Sequence, residues 1–151
     1  MGHLSIVSLL LACGACVNAR NSDQSTPPTL AAEYGREDIV RLLLDKGARV
    51  EDCNKAGCTS LHLAAKKGYL GIARLLLARG ACVHARSNKQ ETPLTVAAEY
   101  GREDITRLLL DEGAHIEESE ENSNTSLHLA ARGGHLGVVT LLLARGITIS
   151  A

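Results

Sequence analysis

The sequence predicts an all-α solenoid built from stacked helix-turn-helix units. A Leu-Leu-Leu triplet recurs with a 33-residue period, starting at residues 9, 42, 75, 108 and 141, and two columns of glycine keep the same period. The 151 residues include no Phe, no Trp and only three Tyr, so the core must be made of small aliphatic side chains that suit close stacking. A fixed period of this length indicates a solenoid in which each unit contacts only its neighbours.

The first helix of a unit is predicted from its start signal and its apolar spacing. Thr59 is of a type that caps helices, because its side-chain oxygen can accept a hydrogen bond from a free backbone N–H. Leu61, Ala64 and Ala65 then fall on one face at helical spacing. Gly68 is expected to close this helix, since glycine readily adopts the left-handed conformation of a C-cap.

The second helix of the same unit is expected over residues 70–78, where the apolar residues form a wide face, and Gly80 is expected to end it. Residues 48–58, which contain Asn54 and Gly57, predict an extended turn between units. Each unit is therefore a helix, a turn, a second helix and a loop.

Composition argues against several classes of function. The net charge of −1 argues against a nucleic-acid partner, since general binding needs an excess of Lys and Arg. The longest apolar run, residues 6–12, is far shorter than the roughly 20 residues of a membrane span, and no basic segment precedes it as in a signal peptide. Five cysteines without a secretory signal fit a reducing compartment, so we expect an intracellular protein, cytoplasmic or nuclear.

The period predicts a single repeat domain over residues 1–151. Its expected units are a half repeat over residues 1–20, which supplies only a second helix, and full repeats over residues 21–53, 54–86, 87–119 and 120–151. A longer period is also present, since residues 31–39 are identical to residues 97–105, 66 positions on. The chain opens within a unit and closes just after a second helix, with no clearly polar outer face at either end. This pattern favours an excerpt of a longer array, or a truncated or engineered one.

A 33-residue unit that begins with T-P-L-H-x-A resembles the ankyrin repeat. The matching residues are Thr26-Pro27, residues 59–65, Thr92-Pro93-Leu94 and residues 125–131, with a family-like tail over residues 9–19. The resemblance covers essentially the whole chain. It implies an L-shaped stack in which the first helices line a concave groove and the hairpin loops project like fingers.

The chain departs from the family pattern at several positions. The replacements are Thr29 and Thr95 for the motif histidine, Pro28 for a core leucine, and Gln24, Gln90 and Ser123 for the hairpin glycine that remains as Gly57. The Thr–His hydrogen bond expected at His62 and His128 therefore cannot form in the other two repeats. Pro28 costs its unit a core leucine, although its missing N–H is harmless in a first helical turn.

Charge alternates along the array. Residues 21–53 carry a net charge of −3, residues 54–86 of +6 and residues 87–119 of −5. In one interpretation, opposite charges pair between stacked repeats, and each exposed pair contributes about 0.2–1 kcal/mol. The ladder would consist of Glu33, Lys66, Glu99 and Arg132. In the other interpretation, basic residues of one repeat form a landing site for an acidic peptide or a phosphate. They are Lys55, Lys66, Lys67, Arg74, Arg79 and Arg86.

The resemblance places the ends of the first helices in the concave groove. The partner-binding residues expected there are Glu33, Tyr34, Lys66, Lys67, Glu99, Tyr100 and Arg132. Tyr34 and Tyr100 are rigid amphipathic side chains of the kind found in binding hot spots. Alternatively or in addition, both rings flank Lys67 in cation–π contacts. The hairpin tips would form a specificity rim of Ser22, Asp23, Ser25, Lys55, Ala56, Cys58, Asn88, Lys89, Glu91, Glu121, Asn122 and Asn124.

The remaining reactive residue types predict no catalytic or metal site. Cys13 and Cys16 form a C-x-x-C pair, but neither a βαβ context nor a second ligand pair accompanies it. The six histidines, at positions 3, 62, 84, 115, 128 and 135, occupy repeat columns or loop ends rather than positions beside an acid and a nucleophile. We expect His62 and His128 to be hydrogen-bonded structural residues. An acidic run either steers a basic partner or is a solvated loop; it consists of Glu117, Glu118, Glu120 and Glu121.

The sequence thus predicts a non-catalytic protein–protein interaction module that binds a protein or peptide through its concave groove and hairpin tips. Rigid stacked units would present this surface preformed, so that little entropy is lost on binding. We expect no enzyme activity, no cofactor, no nucleic-acid or membrane partner, and either a monomer or weak end-to-end self-association. The alternative is a truncated or engineered array with no partner of its own, which associates through its uncapped ends.

Overall fold

The computed structural model describes the backbone of residues 2–150 and the side chains of residues 4–146. Over this part of the chain nine α-helices follow one another, and β structure is limited to the isolated bridges Cys53–Thr59 and Ser119–Thr125. The helices are α1 (Gly2–Ala12), α2 (Pro27–Glu33), α3 (Glu37–Asp45), α4 (Ser60–Lys67), α5 (Leu70–Ala78), α6 (Pro93–Glu99), α7 (Glu103–Asp111), α8 (Ser126–Gly133) and α9 (Leu136–Ser150). The predicted all-α repeat solenoid is confirmed, with α1 as a lone second helix ahead of four helix pairs.

Two of the helices have the boundaries that the sequence predicts. α4 follows its N-cap Thr59 and ends at Gly68, whose φ of +82° is left-handed, and α5 covers residues 70–78. The last helix differs, because α9 continues through Gly146 to Ser150 where the sequence predicts a helix end. Glycine permits a left-handed turn without requiring it, so a glycine column alone does not set every helix end.

Every first helix begins with a capping box, including the two that lack the motif histidine. In α4 the N–H of Thr59 donates to Nδ1 of His62 at 3.1 Å. In α2 the N–H of Thr26 donates to Oγ1 of Thr29 at 2.8 Å, and α6 repeats this arrangement. A threonine hydroxyl therefore replaces the imidazole within the cap, and the helix start survives the substitution.

The four hairpin tips, residues 21–25, 54–58, 87–91 and 120–124, share one turn geometry. The first residue of each tip accepts two backbone N–H bonds, as Asn54 Oδ1 does from Ala56 and Cys58 at 3.0 Å each. The fourth residue has a positive φ, which is +79° at the glycine of the second tip and +60° to +64° at the three residues that replace glycine elsewhere. The turn keeps its left-handed backbone even where Gln or Ser occupies the position.

The core is a row of aliphatic side chains between two layers of helices. The first helices α2, α4, α6 and α8 stack in order, and each packs on the second helix of its own unit. The fully buried side chains include Leu61, Ile72, Leu76, Leu94, Ile105 and Leu109. Pro28 is also buried, in the position of the lost leucine. In the described part of the chain, none of the helices has both the length and the apolar character that crossing a bilayer requires.

Candidate partner-binding groove

A cleft of about 490 Å³, called here the central cleft, lies between α4, α6 and the second and third hairpin tips. It is lined by Glu33, Asn54, Ala56, Cys58, His62, Leu63, Lys66, Ser87, Asn88, Lys89, Glu91, Val96, Glu99 and Tyr100. The capped helices α4 and α6 position the side chains in the walls of the cleft. The hairpin turns, each stabilised by hydrogen bonds to the side chain of its first residue, position the rim. Nine predicted partner-binding residues therefore line a single concavity. They are Glu33, Lys66, Glu99 and Tyr100 of the groove, and Ala56, Cys58, Asn88, Lys89 and Glu91 of the tips.

The other predicted residues lie outside the central cleft. The groove residues among them are Tyr34, Lys67 and Arg132, and the tip residues are Ser22, Asp23, Ser25, Lys55, Glu121, Asn122 and Asn124. Ser25 is buried, so the prediction that its side chain contacts a partner at a hairpin tip is wrong. Ser25 is the last residue of its tip and directly precedes Thr26, the N-cap of α2.

The two tyrosines have identical local sequences but different surroundings. Tyr34 is 63% exposed, whereas Tyr100 is 42% exposed and has Nζ of Lys66 lying 5.5 Å from its ring centroid. The predicted cation–π contact of Lys67 is therefore wrong, because the neighbouring Lys66 makes this contact instead. Successive helical residues point about 100° apart, so only one of two adjacent lysines can face a given ring.

The predicted charge ladder forms only in part. Within the described side chains, Glu99 and Arg132 make its one ion pair, with 3.7 Å between Oε1 and Nη2. The stronger pairs join the ends of second helices instead, where Arg79 meets Asp45 and Arg145 meets Asp111, both at 2.6 Å. A shared column brings charged residues into neighbouring repeats, but side-chain direction decides which of them meet.

The six bases of residues 54–86 do not form one landing site. Arg79 is paired with Asp45, and Arg86 lies 3.7 Å from Glu118. Arg74 faces a shallow depression between α5 and α7, away from the central cleft. These bases belong to different faces of the solenoid, so the expectation of a common site for an acidic peptide or phosphate is wrong.

His62 forms part of the cleft floor and is a structural residue, as predicted. Its Nε2 donates to the carbonyl oxygen of Glu91 at 2.8 Å, and its Nδ1 lies 2.9 Å from the Thr59 hydroxyl. Burial lowers the pKa of His62, although nearby backbone carbonyls act in the opposite direction. His128 makes the same contact with Thr125 at 2.8 Å but is exposed. The side chain of His3 lies outside the described residues.

Two groups at the cleft rim have raised pKa values. Burial and, secondarily, the negative charge of Glu99 raise the pKa of Glu91. Burial and the negative charge of Glu91 raise the pKa of the Cys58 thiol. Cys58 is thus held as an unreactive thiol, whereas Glu91 and Glu99 repel each other across the rim. A positive group between these two carboxylates would relieve their repulsion.

Backbone hydrogen bonds join the hairpin tips into a continuous edge. The N–H of Lys55 donates to Asp23 at 2.9 Å, that of Asn88 to Ala56 at 3.0 Å, and that of Glu121 to Lys89 at 2.9 Å. Each bond connects neighbouring tips at the same point of the turn. The rim of the groove is consequently ordered before any partner arrives.

The sequence did not reveal a second set of contacts, between the loops that precede the hairpin tips. Residues 31 positions apart meet there, as when the N–H of Arg49 donates to Oδ1 of Asn18 at 3.0 Å and that of Cys82 to Oε1 of Glu51 at 2.7 Å. Their spacing is two residues short of the repeat period, so the repeat columns of the sequence do not mark them.

Neighbouring loop contacts place two histidines beside a carboxylate and engage part of the acidic run. Nδ1 of His84 and Nδ1 of His115 lie 3.2 Å and 3.1 Å from Oε1 of Glu118. Glu120 accepts the N–H bonds of its hairpin tip. Two of the four acids are therefore engaged in contacts rather than freely solvated. Cys13 and Cys16 are exposed free thiols.

Comparison with known protein families agrees with this architecture. The family model described as ankyrin repeats (3 copies) matches residues 1–87 and residues 81–151, which together span the chain. A search of curated proteins finds no match. Repeats of this family are generally protein–protein interaction modules and are typically non-catalytic. With its motif, its helix-pair solenoid and this match over its whole length, the chain belongs to the ankyrin-repeat family.

Proposed function

We propose that the protein binds a protein or peptide partner in the central cleft, and that the partner presents a basic side chain to Glu91 and Glu99. The observation that carries this proposal is the cleft itself, about 490 Å³ in volume, with the half-exposed ring of Tyr100 in its wall. A tyrosine in a concave, partly desolvated site is a typical binding hot spot.

The chemistry of the cleft supports a basic group in the partner. Burial and the neighbouring Glu99 already raise the pKa of Glu91, so a cation placed between these carboxylates gains two attractions and removes one repulsion. The face of Tyr100 already attracts the ammonium group of Lys66 at 5.5 Å. A partner lysine or arginine can take over this cation–π contact while Lys66 turns towards solvent.

The hydrogen-bonded edge of the hairpin tips supports tight recognition by a preformed surface. Because adjacent tips are joined through Lys55, Asn88 and Glu121, the rim loses little conformational freedom when a partner binds. Most of the entropy lost on binding is then that of the partner, which becomes ordered in the cleft. This favours an extended segment of a protein or a peptide, laid across the cleft, as the bound species.

A matched pair of tyrosine variants tests the proposal. Peptides would be selected from a random library on the wild-type protein, and the affinity of the strongest would be measured by calorimetry for Tyr100→Ala, Glu99→Gln and Tyr34→Ala. Tyr34 and Tyr100 lie in identical nine-residue segments, but Tyr34 is outside the cleft. We expect Tyr100→Ala to weaken binding about 30-fold, the loss typical of a hot spot, and Glu99→Gln to weaken basic peptides selectively. Equal effects of Tyr34→Ala and Tyr100→Ala would reject the central cleft as the site.

We infer a second candidate function, self-association through α1, from one observation. Ile6 and Leu10 are 59% and 54% exposed, whereas Ile72 and Leu76, which hold the same positions in α5, are 2% and 0% exposed. The first helix α4 packs against α5 in its unit, whereas no first helix precedes α1 within the described residues. A second copy of the chain would cover this apolar stripe at a gain of about 1 kcal/mol for each of these half-exposed side chains.

Sedimentation equilibrium over a wide concentration range tests self-association. We expect the average mass to rise with concentration for the wild type and to stay monomeric for Ile6→Gln/Leu10→Gln. Tyr100→Ala is the control, because it removes a partly exposed ring at the C-cap of α6, which two full repeats separate from α1. A wild-type mass independent of concentration would exclude this second function and leave the cleft proposal intact.

A further inference from the structure

We propose that His84, His115 and Glu118 form a binding site for a divalent transition-metal ion that prefers nitrogen ligands, with Zn²⁺ as the type. The Nδ1 atoms of both histidines approach one carboxylate oxygen, at 3.2 Å and 3.1 Å. The three potential ligand atoms lie within 4.8 Å of one another, and the two rings are 4.5 Å apart between centroids. Two imidazoles from separate repeats thus converge on the same point as a carboxylate.

The distances fit the coordination chemistry of zinc. Zn–N and Zn–O bonds of about 2.0–2.2 Å in a tetrahedron separate neighbouring ligand atoms by about 3.3–3.5 Å. The observed separations between each imidazole and Glu118 differ from this by only a few tenths of an ångström. The histidine side chains are largely exposed, so their rings can turn by this amount, and solvent can supply the fourth ligand. A set with two imidazoles excludes Ca²⁺ and Mg²⁺, which require mainly oxygen ligands.

The carboxylate of Glu118 is held for this role by Arg86. Nη2 of Arg86 lies 3.7 Å from Oε2 of Glu118, which leaves Oε1 directed to the histidines. The guanidinium is itself fixed, because Nη1 donates to the carbonyl oxygens of Gln90 and Ser119 at 2.9 Å each. Partners that orient a ligand in this way generally strengthen metal binding. The ligand set is therefore partly preorganised.

The 66-residue period supplies an internal comparison at the equivalent place two repeats earlier. There Arg20 lies 3.7 Å from Asp52, just as Arg86 lies from Glu118. The positions of the two histidines are held instead by Asn18 and Arg49, which bond to each other through the backbone N–H of Arg49. The loops of the first two units therefore stack with an arginine–carboxylate pair and without histidine. Stacking of the repeats does not explain why His84 and His115 are present.

A bound ion would join two neighbouring repeats. His84 lies in the loop after α5, whereas His115 and Glu118 lie in the loop after α7. Each loop leads directly into a hairpin tip, and the tip of residues 87–91 forms part of the cleft rim. The ion would act as a clip that fixes one repeat against the next.

The loop sequence two repeats earlier defines the test variant. His84→Asn/His115→Arg copies Asn18 and Arg49 and should fold with unchanged helix content in circular dichroism. Binding of Zn²⁺ would be measured by calorimetry under reducing conditions. We expect one ion per wild-type chain and at least tenfold weaker binding by the double variant and by Glu118→Gln. Cys13→Ser/Cys16→Ser is the matched control, since it removes the thiols of the C-x-x-C pair, and its affinity should equal that of the wild type.

Spectroscopy on the wild type gives a second readout that does not depend on any variant. We expect Zn²⁺ to shift the imidazole NMR resonances of His84 and His115 and to leave those of His135 in place, because its Nε2 is bonded to the Glu99 carbonyl. Co²⁺ should bind without a thiolate charge-transfer band. Unshifted resonances, a thiolate band, or equal affinity in the double variant would overturn the proposal. The cluster would then be a hydrogen-bonded ion-pair network only.

Discussion

The imidazole of His62 connects two neighbouring repeats, with Nε2 donating to the carbonyl oxygen of Glu91 at 2.8 Å while Nδ1 accepts from the N–H of Thr59 at 3.1 Å. One side chain thereby caps α4 and donates a second hydrogen bond to a carbonyl of the next hairpin tip, which also accepts the N–H of Ser87. Because Nε2 must carry the proton in this arrangement, the ring is neutral. The threonines found at the same position in α2 and α6 can make only the first of these contacts.

His62→Thr should therefore destabilise the protein while keeping the start of α4. Threonine closes the capping box at Thr29, but it removes the imidazole donor of the Glu91 carbonyl, which keeps only its bond from the Ser87 N–H, at an expected cost of about 0.5–1.5 kcal/mol. Urea denaturation followed by circular dichroism measures the change. His128→Thr is the matched control, because His128 has the same cap but is exposed, and it should cost clearly less. Equal losses for the two variants would contradict the inter-repeat role.

Stability should fall as the pH drops below 6.5, and His62 should account for part of the fall. Burial holds the pKa of His62 below the ordinary value of 6.5, so the unfolded chain binds a proton that the folded chain does not. This contribution is complete above pH 6.5 and is lost progressively towards the folded pKa. The raised pKa of Glu91 acts in the opposite direction at lower pH.

The free energy of unfolding of wild type and His62→Thr, compared at pH 7.5 and 5.5, isolates this effect. We expect the variant to lose less stability between the two pH values than the wild type does. A parallel fall in both proteins would assign the pH dependence to other groups.

Gln90→Gly should stabilise the third hairpin tip. The φ of Gln90 is +64°, a conformation that costs an L-residue about 1–2 kcal/mol, part of which the greater entropy of an unfolded glycine offsets. The expected net gain is about 0.5–1 kcal/mol, seen as a higher melting temperature. Gln90→Ala is the control and should give no gain, since alanine suffers the same strain.

The reverse change at the second tip should be harmful. Gly57 has a φ of +79°, and a Cβ there would lie 2.7 Å from the backbone nitrogen of Asn88. Gly57→Gln should therefore lose more stability than Gln90→Gly gains. A tolerated Gly57→Gln would show that the tips move apart more easily than their hydrogen bonds suggest.

Two arginines should respond differently to salt. Arg79 contacts Asp45 at the surface, so Arg79→Gln should cost less than about 1 kcal/mol, and the loss should vanish in 1 M salt. Arg86 donates to two carbonyl oxygens, and Arg86→Gln should cost about 1.5 kcal/mol in low and high salt alike. Denaturation curves at both salt concentrations decide this. A loss at Arg86 that disappears with salt would reduce its role to ion pairing.

The sequence by itself determined the architecture, because the signals that begin and end short helices are local. Thr59 and Gly68 mark the ends of α4 within a few residues of the backbone groups they satisfy, and the apolar spacing of residues 70–78 defines α5. The repeat period then orders the helices, since a unit of two short helices can bury its apolar face only against a neighbour. The resemblance to the ankyrin repeat, rather than the period itself, predicted the places of Glu99, Tyr100 and the hairpin tips along one groove.

Only the tertiary structure decided which side chains meet across repeats. Lys66 rather than Lys67 faces Tyr100, Ser25 is buried, and His84 meets Glu118 from the neighbouring loop. Both of these pairs depend on the rotation and offset between stacked units, which bring residues 34 positions apart together although the sequence repeats every 33. The repeat period specifies which position of the repeat unit a residue occupies. The direction of its side chain, and so its partner, is settled by packing in three dimensions.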